Sequence, residues 1–218
     1  MPPATALPAA TAATAFDTGP ASASSGRYSA VAIGLHWLMA VLIVGTFCVG
    51  YYMSGLSFSP GRLKLYNWHK WAGVCVLALA ALRLLWRLSH PPPADVPMPR
   101  WQARLAHATH FALYAAFFAV PLAGWTYSSA AGFPVVVFGV LPLPDLVSPD
   151  KALAANLRLL HQWLAYGLAG LVLLHVAGAL KHRLIDRDRL LARMLPGTGP
   201  GAAAPAVPAR ADTFHVPP

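Results

Sequence analysis

Acidic residues are scarce in this chain, and glutamate is absent altogether. Only 11% of the residues are charged, compared with roughly 25% in an average soluble domain. This deficit argues against a water-soluble globule. Cysteine is rarer still, because Cys48 and Cys75 are the only two and they have no CxxC spacing. Neither a disulfide framework nor a thiol-redox motif is therefore predicted.

Apolar residues make up 57% of the chain and fall into four blocks of about twenty residues, the length that crosses a bilayer. The blocks run from about Ala30 to Met53, Tyr66 to Leu88, Leu105 to Tyr127 and Leu159 to Leu180. A short loop carrying Pro60 and Gly61 joins the first two. We therefore predict an all-α fold, an integral membrane four-helix bundle of up-and-down topology.

Two low-complexity segments flank the predicted membrane domain, which covers residues 27–195. Residues 1–26 are mainly Ala, Pro, Thr and Ser, and they lack the basic and apolar regions of a secretory signal. Residues 196–218 have a similar composition. Neither segment can bury enough apolar surface to order itself, so both are predicted to be disordered tails.

The net charge of +9 is concentrated at the edges of the apolar blocks, where Lys and Arg meet lipid headgroups. On the side of the two termini lie Arg27, Arg83, Arg87, Arg100, Arg104, Lys181, Arg183, Arg187, Arg189 and Arg193, and on the other side lie Arg62, Lys64, Lys70, Lys151 and Arg158. Because cytoplasmic loops carry the excess of Lys and Arg, both termini are predicted to be cytoplasmic. No basic stripe remains for binding nucleic acid.

The segment 128–158, on the side opposite the termini, is apolar but interrupted by four prolines. It cannot span the membrane as a helix. We expect it to lie along the interface, where it would wall a substrate pocket.

Histidines inside the apolar blocks form two pairs when they are placed by depth. His36 lies near the cytoplasmic start of the first block, and His69 lies near the outer start of the second. In the fourth block, His161 is close to the outer end, and His175 lies fourteen residues deeper, about 21 Å at the helical rise. Depth therefore pairs His36 with His175 and His69 with His161.

Two opposed imidazoles at each of two levels fit two bis-histidine haems with their irons on opposite sides of the bilayer. Each histidine taken alone could instead form a hydrogen bond between helices. Zinc usually needs three or four ligands, and the blocks offer neither acids nor clustered thiols. The same lack of acids argues against a transporter that uses histidines as a proton relay.

Three other histidines lie near the cytoplasmic side. His107 and His110 compete by depth for the inner pair, but their place after an Arg-containing loop favours an interfacial role, such as capping or haem propionate contact. His182 follows the fourth block and is expected to be interfacial, or to face a quinone pocket.

Several segments resemble the bacterial cytochrome b561 family over residues 27–196. The resemblance rests on RYSAVAIGLHWLMA, NWHKWAGV, LRLLWRLSHPPP and LLHQWLAYGLAGLVLLHVAGALKH, and on the loop GWTYSSAAGFPVVVFGVLPLPDLV. It implies two b-type haems in a bacterial inner-membrane protein, with axial ligands at His36, His69, His161 and His175. It thereby favours these four over His107 and His110.

The resemblance also implies a function: electron exchange between quinone and a second partner, either a redox protein or superoxide in a superoxide-to-quinone reaction. A similar scaffold serves as the cytochrome b anchor subunit of hydrogenases and formate dehydrogenases, and this alternative stays open. Arg83 and Arg87 are candidates for contacting the inner propionates, and Lys64, Lys70 and Arg158 for the outer ones. Anchoring to the membrane surface is the simpler explanation of the same cations.

Overall fold

Four long helices make up most of residues 26–197, the part of the chain that the computed structural model describes. They are α1 (Ala30–Ser54), α2 (Pro60–Ser89), α3 (Arg100–Ala130) and α4 (Lys151–Lys181). All four are long and apolar enough to cross a membrane, and consecutive helices pack against each other. The predicted four-helix membrane bundle is confirmed. The predicted tails lie outside the described residues except for residues 26, 196 and 197.

Polar caps begin three of the helices. The side chains of Ser29, Ser59 and Asp150 accept hydrogen bonds from the first turns of α1, α2 and α4. Pro60 follows Ser59 as the first residue of α2, where its missing N–H and fixed φ are tolerated. The prediction that Pro60 and Gly61 belong to a loop was therefore wrong.

The helices extend beyond the apolar blocks. Helix α3 begins at Arg100 and ends at Ala130, and α4 begins at Lys151, eight residues before the predicted start at Leu159. Hydropathy cannot detect these turns because they carry polar residues. The predicted interfacial segment 128–158 is accordingly reduced to the α3–α4 connection, residues 131–150.

A small β-hairpin occupies that connection. Strands β1 (Val136–Val137) and β2 (Leu141–Pro142) pair antiparallel, and Phe138 and Gly139 in the turn both have positive φ. The indole Nε1 of Trp71 in α2 donates a 2.6 Å hydrogen bond to the carbonyl oxygen of Val136. The indole of Trp125 in α3 donates to the carbonyl of Pro144 at 3.1 Å. These bonds hold the hairpin against the bundle. We call this end of the bundle the outer end.

The two ends of the described chain meet at the opposite, inner end. After α4, a π-helical turn (His182–Asp186) and a 3-10 turn (Leu191–Met194) lead the chain back across the bundle. The Arg27 guanidinium donates to the carbonyl of Leu195 at 2.7 Å, and the Trp37 indole donates to that of Met194 at 2.7 Å. The start of α1 is thereby tied to the end of the described residues.

The buried core lies at mid-depth. It consists of Met39, Ile43, Val76, Ala80, Leu113 and Leu168, which come from all four helices. Many other large apolar side chains face outward, as expected for a surface in contact with lipid. We call these six residues the apolar layer.

The turn after α4 depends on Asp188. Its carboxylate accepts hydrogen bonds from His182 Nδ1 at 2.5 Å and from the Leu190 N–H at 2.9 Å. Although burial alone would raise it, the bonds from Leu190 and His182 hold the pKa of Asp188 below its ordinary value of 3.8. A carboxylate whose pKa is lowered on folding stabilises the protein at pH values above its unfolded pKa. This stabilisation is lost as the pH falls through the folded pKa.

We therefore expect Asp188→Asn to lower the Tm by about 1 to 2 °C at neutral pH, the size of a partly exposed ion pair. The difference from wild type should shrink as the pH falls below 3.8 and the carboxylate takes up a proton. Thermal unfolding in detergent measures both. Asp145→Asn, at an exposed aspartate, is the control and should leave the Tm unchanged. A Tm loss for Asp188→Asn that does not shrink as the pH falls would contradict the assignment.

Candidate functional site

The four histidines predicted as ligands meet as two pairs. At the outer level, the ring centres of His69 and His161 are 6.0 Å apart and their planes make an angle of 89°. At the inner level, the ring centres of His36 and His175 are 6.1 Å apart, with an angle of 59°. The structure thus brings together the same two pairs that depth predicts.

The two levels follow one spacing on every helix. The residue at one level and the residue at the other are fourteen positions apart: His36 and Gly50 on α1, His69 and Arg83 on α2, His110 and Gly124 on α3, and His161 and His175 on α4. Fourteen residues are nearly four helical turns and rise about 21 Å. Each helix therefore presents one face to both levels.

Hydrogen bonds orient both outer histidines. His69 Nδ1 lies 3.1 Å from the carbonyl oxygen of Thr46 in α1, and His161 Nδ1 lies 2.9 Å from that of Val120 in α3. Because a carbonyl oxygen can only accept, Nδ1 carries the proton in each neutral ring, and Nε2 keeps its lone pair. This is the usual arrangement of a metal-ligating histidine.

The distance between the ring centres of each pair also fits a metal atom bound between them. A bond from a metal to an imidazole nitrogen is about 2 Å long, so two rings on opposite sides of one metal atom have centres roughly 6 Å apart. Packed aromatic rings reach a similar spacing, so the Nδ1 bonds carry more weight than the distance. A pair of imidazoles suits the two axial positions of haem iron better than zinc, which takes three or four ligands.

His110 lies at the inner level, where depth predicts that it competes with the inner pair. Its ring centre lies 5.2 Å from that of His175, shorter than the spacing of two axial ligands. His107 is exposed, and its Nε2 lies 3.2 Å from Asp95, as an interfacial role predicts. The spacing of fourteen residues between His110 and Gly124 is the sequence signal that could have identified His110.

Two arginines of α2 lie at the inner level. Arg83 acts electrostatically on His36 and His175, and its Nε donates to the Tyr114 hydroxyl at 3.2 Å. The Arg87 guanidinium lies 6.0 Å from the centre of the Tyr114 ring. The inner histidines therefore lie in a positive field, and both arginines are within the half of the bundle where inner propionates would need them.

The cations predicted for the outer site are placed differently. Lys70 Nζ donates to the carbonyls of Phe133 and Pro134 at 3.2 and 3.4 Å, so it holds the hairpin. Lys64 is exposed. Arg158 lines an open pocket of about 500 Å³ between the ends of α3 and α4.

His182 lies apart from both levels. It is buried and together with Asp186 and Asp188 forms a cluster of potential metal ligands at the inner end. The Lys181 Nζ already forms an ion pair with the Asp186 carboxylate at 2.6 Å. The Asp188 carboxylate accepts a hydrogen bond from the His182 imidazole. These contacts give the cluster a structural role in ending α4.

The chain is similar in sequence to known proteins over most of its length. Residues 27–197 match a family model described as prokaryotic cytochrome b561. The cytochrome b561 homolog 2 of Escherichia coli K12 is 37% identical over 171 residues, which cover 78% of this chain and 91% of the relative. The cytochrome b561 homolog 1 of the same organism is 30% identical over 178 residues, covering 78% and 97%.

A third relative has an activity in its name. The "Probable superoxide oxidase CybB" of Yersinia pestis is 30% identical over 174 residues, covering 78% of this chain and 96% of the relative. The family match includes all four helices and both histidine levels.

Proposed function

The chain belongs to the prokaryotic cytochrome b561 family of membrane electron-transfer proteins, and we propose that it binds two b-type haems in the bacterial inner membrane. The axial ligands of the inner haem are His36 and His175. Those of the outer haem are His69 and His161. The observation that carries this proposal is the Nδ1 bond of each outer histidine to a backbone carbonyl, which leaves Nε2 as the ligand atom.

The haems, when bound, supply one-electron carriers at the two levels. The protein holds the imidazoles at fixed depths, and the apolar layer excludes water between the levels. Arg83 and Arg87 supply positive charge for the inner propionates. At the outer level Lys70 is engaged by the hairpin, which leaves Lys64 and Arg158 as the candidates there.

We further propose that the protein exchanges electrons between quinone and a second partner, with superoxide as the leading candidate. The name of the Yersinia relative supports this choice. So does the outer pocket, where Lys151 and Arg158 stand beside Tyr127 and outnumber the single acid, Asp150, because an anion is attracted to a cleft with an excess of positive charge. In the predicted orientation, with both termini cytoplasmic, this pocket faces away from the cytoplasm.

Removal of single ligands tests the haem assignment. The purified wild-type protein should contain two haems per chain and show the α band of a b-type cytochrome. His69→Ala and His161→Ala should each remove the outer haem, and His36→Ala and His175→Ala the inner one, because a single imidazole cannot complete the axial pair. Pyridine haemochrome assays and a redox titration measure the outcome.

His110→Ala is the matched control for the ligand variants. This side chain lies beside His175, but the distance between their ring centres is shorter than that expected of two axial ligands, so we expect both haems to remain. If His110→Ala lost a haem while His36→Ala kept two, the assignment of the inner ligands would be wrong. A wild-type protein that took up no haem would remove the proposal altogether.

Arg83 should raise the reduction potential of the inner haem, because a nearby positive charge favours the state with one more electron. We expect Arg83→Gln to lower that potential on the order of 50 mV, equivalent to about 1 kcal/mol. Arg83→Lys should restore most of it. Arg100→Gln, at an exposed arginine of the same end, should change neither potential. Equal potentials in Arg83→Gln and wild type would show that Arg83 only anchors the helix.

Turnover by the isolated chain tests the substrates. With a superoxide-generating system and a short-chain quinone, the purified protein should reduce quinone, and His69→Ala should abolish this activity. A cytochrome b anchor subunit would instead carry two haems but show no turnover until a partner enzyme was added. That result would replace the proposed activity and leave haem binding intact.

A further inference from the structure

Two glycines lie in close contact with the outer histidine rings, near Cε1 and Nδ1. A Cβ added to Gly50 of α1 would stand 2.8 Å from Cε1 and 3.2 Å from Nδ1 of His69. A Cβ added to Gly124 of α3 would stand 2.9 Å from Cε1 and 3.0 Å from Nδ1 of His161. Carbon atoms in contact prefer about 3.5 to 4.0 Å, so neither position has room for a side chain.

The carbonyl that binds each ring belongs to the same helical turn as the glycine. Thr46 precedes Gly50 by four residues, and Val120 precedes Gly124 by four. In an α-helix such a carbonyl already accepts the glycine N–H, and its second lone pair remains for the histidine. The missing side chain is what allows the imidazole to come close enough to use it. We propose that Gly50 and Gly124 are positioning residues that set the orientation and tautomer of the two outer ligands.

No backbone requirement explains these glycines. The glycines with positive φ in the described chain are Gly132, Gly139 and Gly197, whereas Gly50 and Gly124 are in helices, where glycine is destabilising relative to alanine. Open space surrounds the Cβ position of most other helical glycines, namely Gly34, Gly45, Gly73, Gly167, Gly170 and Gly178. The close contact with an imidazole therefore distinguishes the two.

The inner level lacks this arrangement. The positions fourteen residues away on the same helices are His36 and His110. Among residues 26–197, the hydrogen bonds that orient a ligand histidine are those of His69 and His161. The proposed role thus concerns the outer site alone, and it rests on the proposed function, in which these two histidines bind haem.

Alanine substitution should disturb the outer haem and spare the inner one. The added methyl group pushes the ring away from the helix and breaks the Nδ1 bond. A bond from Nδ1 to a carbonyl makes the imidazole a stronger donor to the metal, which favours the oxidised iron. In Gly50→Ala and Gly124→Ala, the outer haem should therefore be lost or, if retained, should have a higher potential and an altered low-spin EPR signal, since that signal responds to the angle between ligand planes.

The experiment compares these variants with matched controls in the full-length purified protein. Gly45→Ala, on the same helix as Gly50, and Gly170→Ala, on α4, place a methyl group in open space. They should keep two haems with unchanged potentials and EPR signals. Adding His36→Ala to Gly50→Ala identifies the affected haem, because only the outer one remains to be measured in that background.

Three outcomes separate the inference from the proposed function. If wild type holds two haems and both glycine variants match their controls in haem content, potentials and EPR, the inference is overturned and haem binding stands. Loss of both haems with general unfolding in both variants also overturns it, because a positioning role spares the inner site. If wild type holds no haem, the proposed function fails first.

Discussion

A register shared by all four helices is the constraint on which the rest of the structure depends. Each helix carries one residue at the inner level and one at the outer level, fourteen positions apart. Because this number is close to four whole turns, both residues lie on the same face of their helix. A deletion of one residue between the levels would rotate one of them by roughly 100° and turn it away from its partners.

The two levels share this register, but different groups surround the histidines at each level. At the outer level, two glycines alternate with the two histidines, and the rings bind backbone carbonyls. At the inner level, Arg83 and His110 occupy the corresponding positions of α2 and α3 beside the histidines. One site is defined by close contact with the backbone and the other by charge. Two haems bound at these levels, as we propose, would consequently have different properties.

Much of the architecture could be predicted from the sequence, because a bilayer imposes a length on each apolar block and the helical rise converts residue number into depth. The pairs His69 with His161 and His36 with His175 follow from those two facts. The ends of α2, α3 and α4 could not be predicted from block length, because capping residues such as Ser59 and Asp150 extend helices beyond the apolar region.

Some details of the site could not be predicted from the sequence, for a related reason. Depth says how far along a helix a residue lies, but not which way it faces, so the competition of His110 with the inner pair could not be decided from depth. The sequence does not distinguish Gly50 and Gly124 from other glycines, because glycine is common in membrane helices and their proposed role depends on contacts between helices. The engagement of Lys70 by the hairpin depends on the path of a loop, which hydropathy does not describe.

The apolar layer between the levels has an electrical consequence. Its six residues, Met39, Ile43, Val76, Ala80, Leu113 and Leu168, contain no group that can take up or release a proton. An electron that passed between haems bound at the two levels as proposed would move negative charge over about 21 Å of helical rise, most of the roughly 30 Å hydrocarbon thickness. Such a movement works with or against the transmembrane voltage, by up to about 2.3 kcal/mol per 100 mV. The energised state of the cell would thus bias which of the two levels holds the electron.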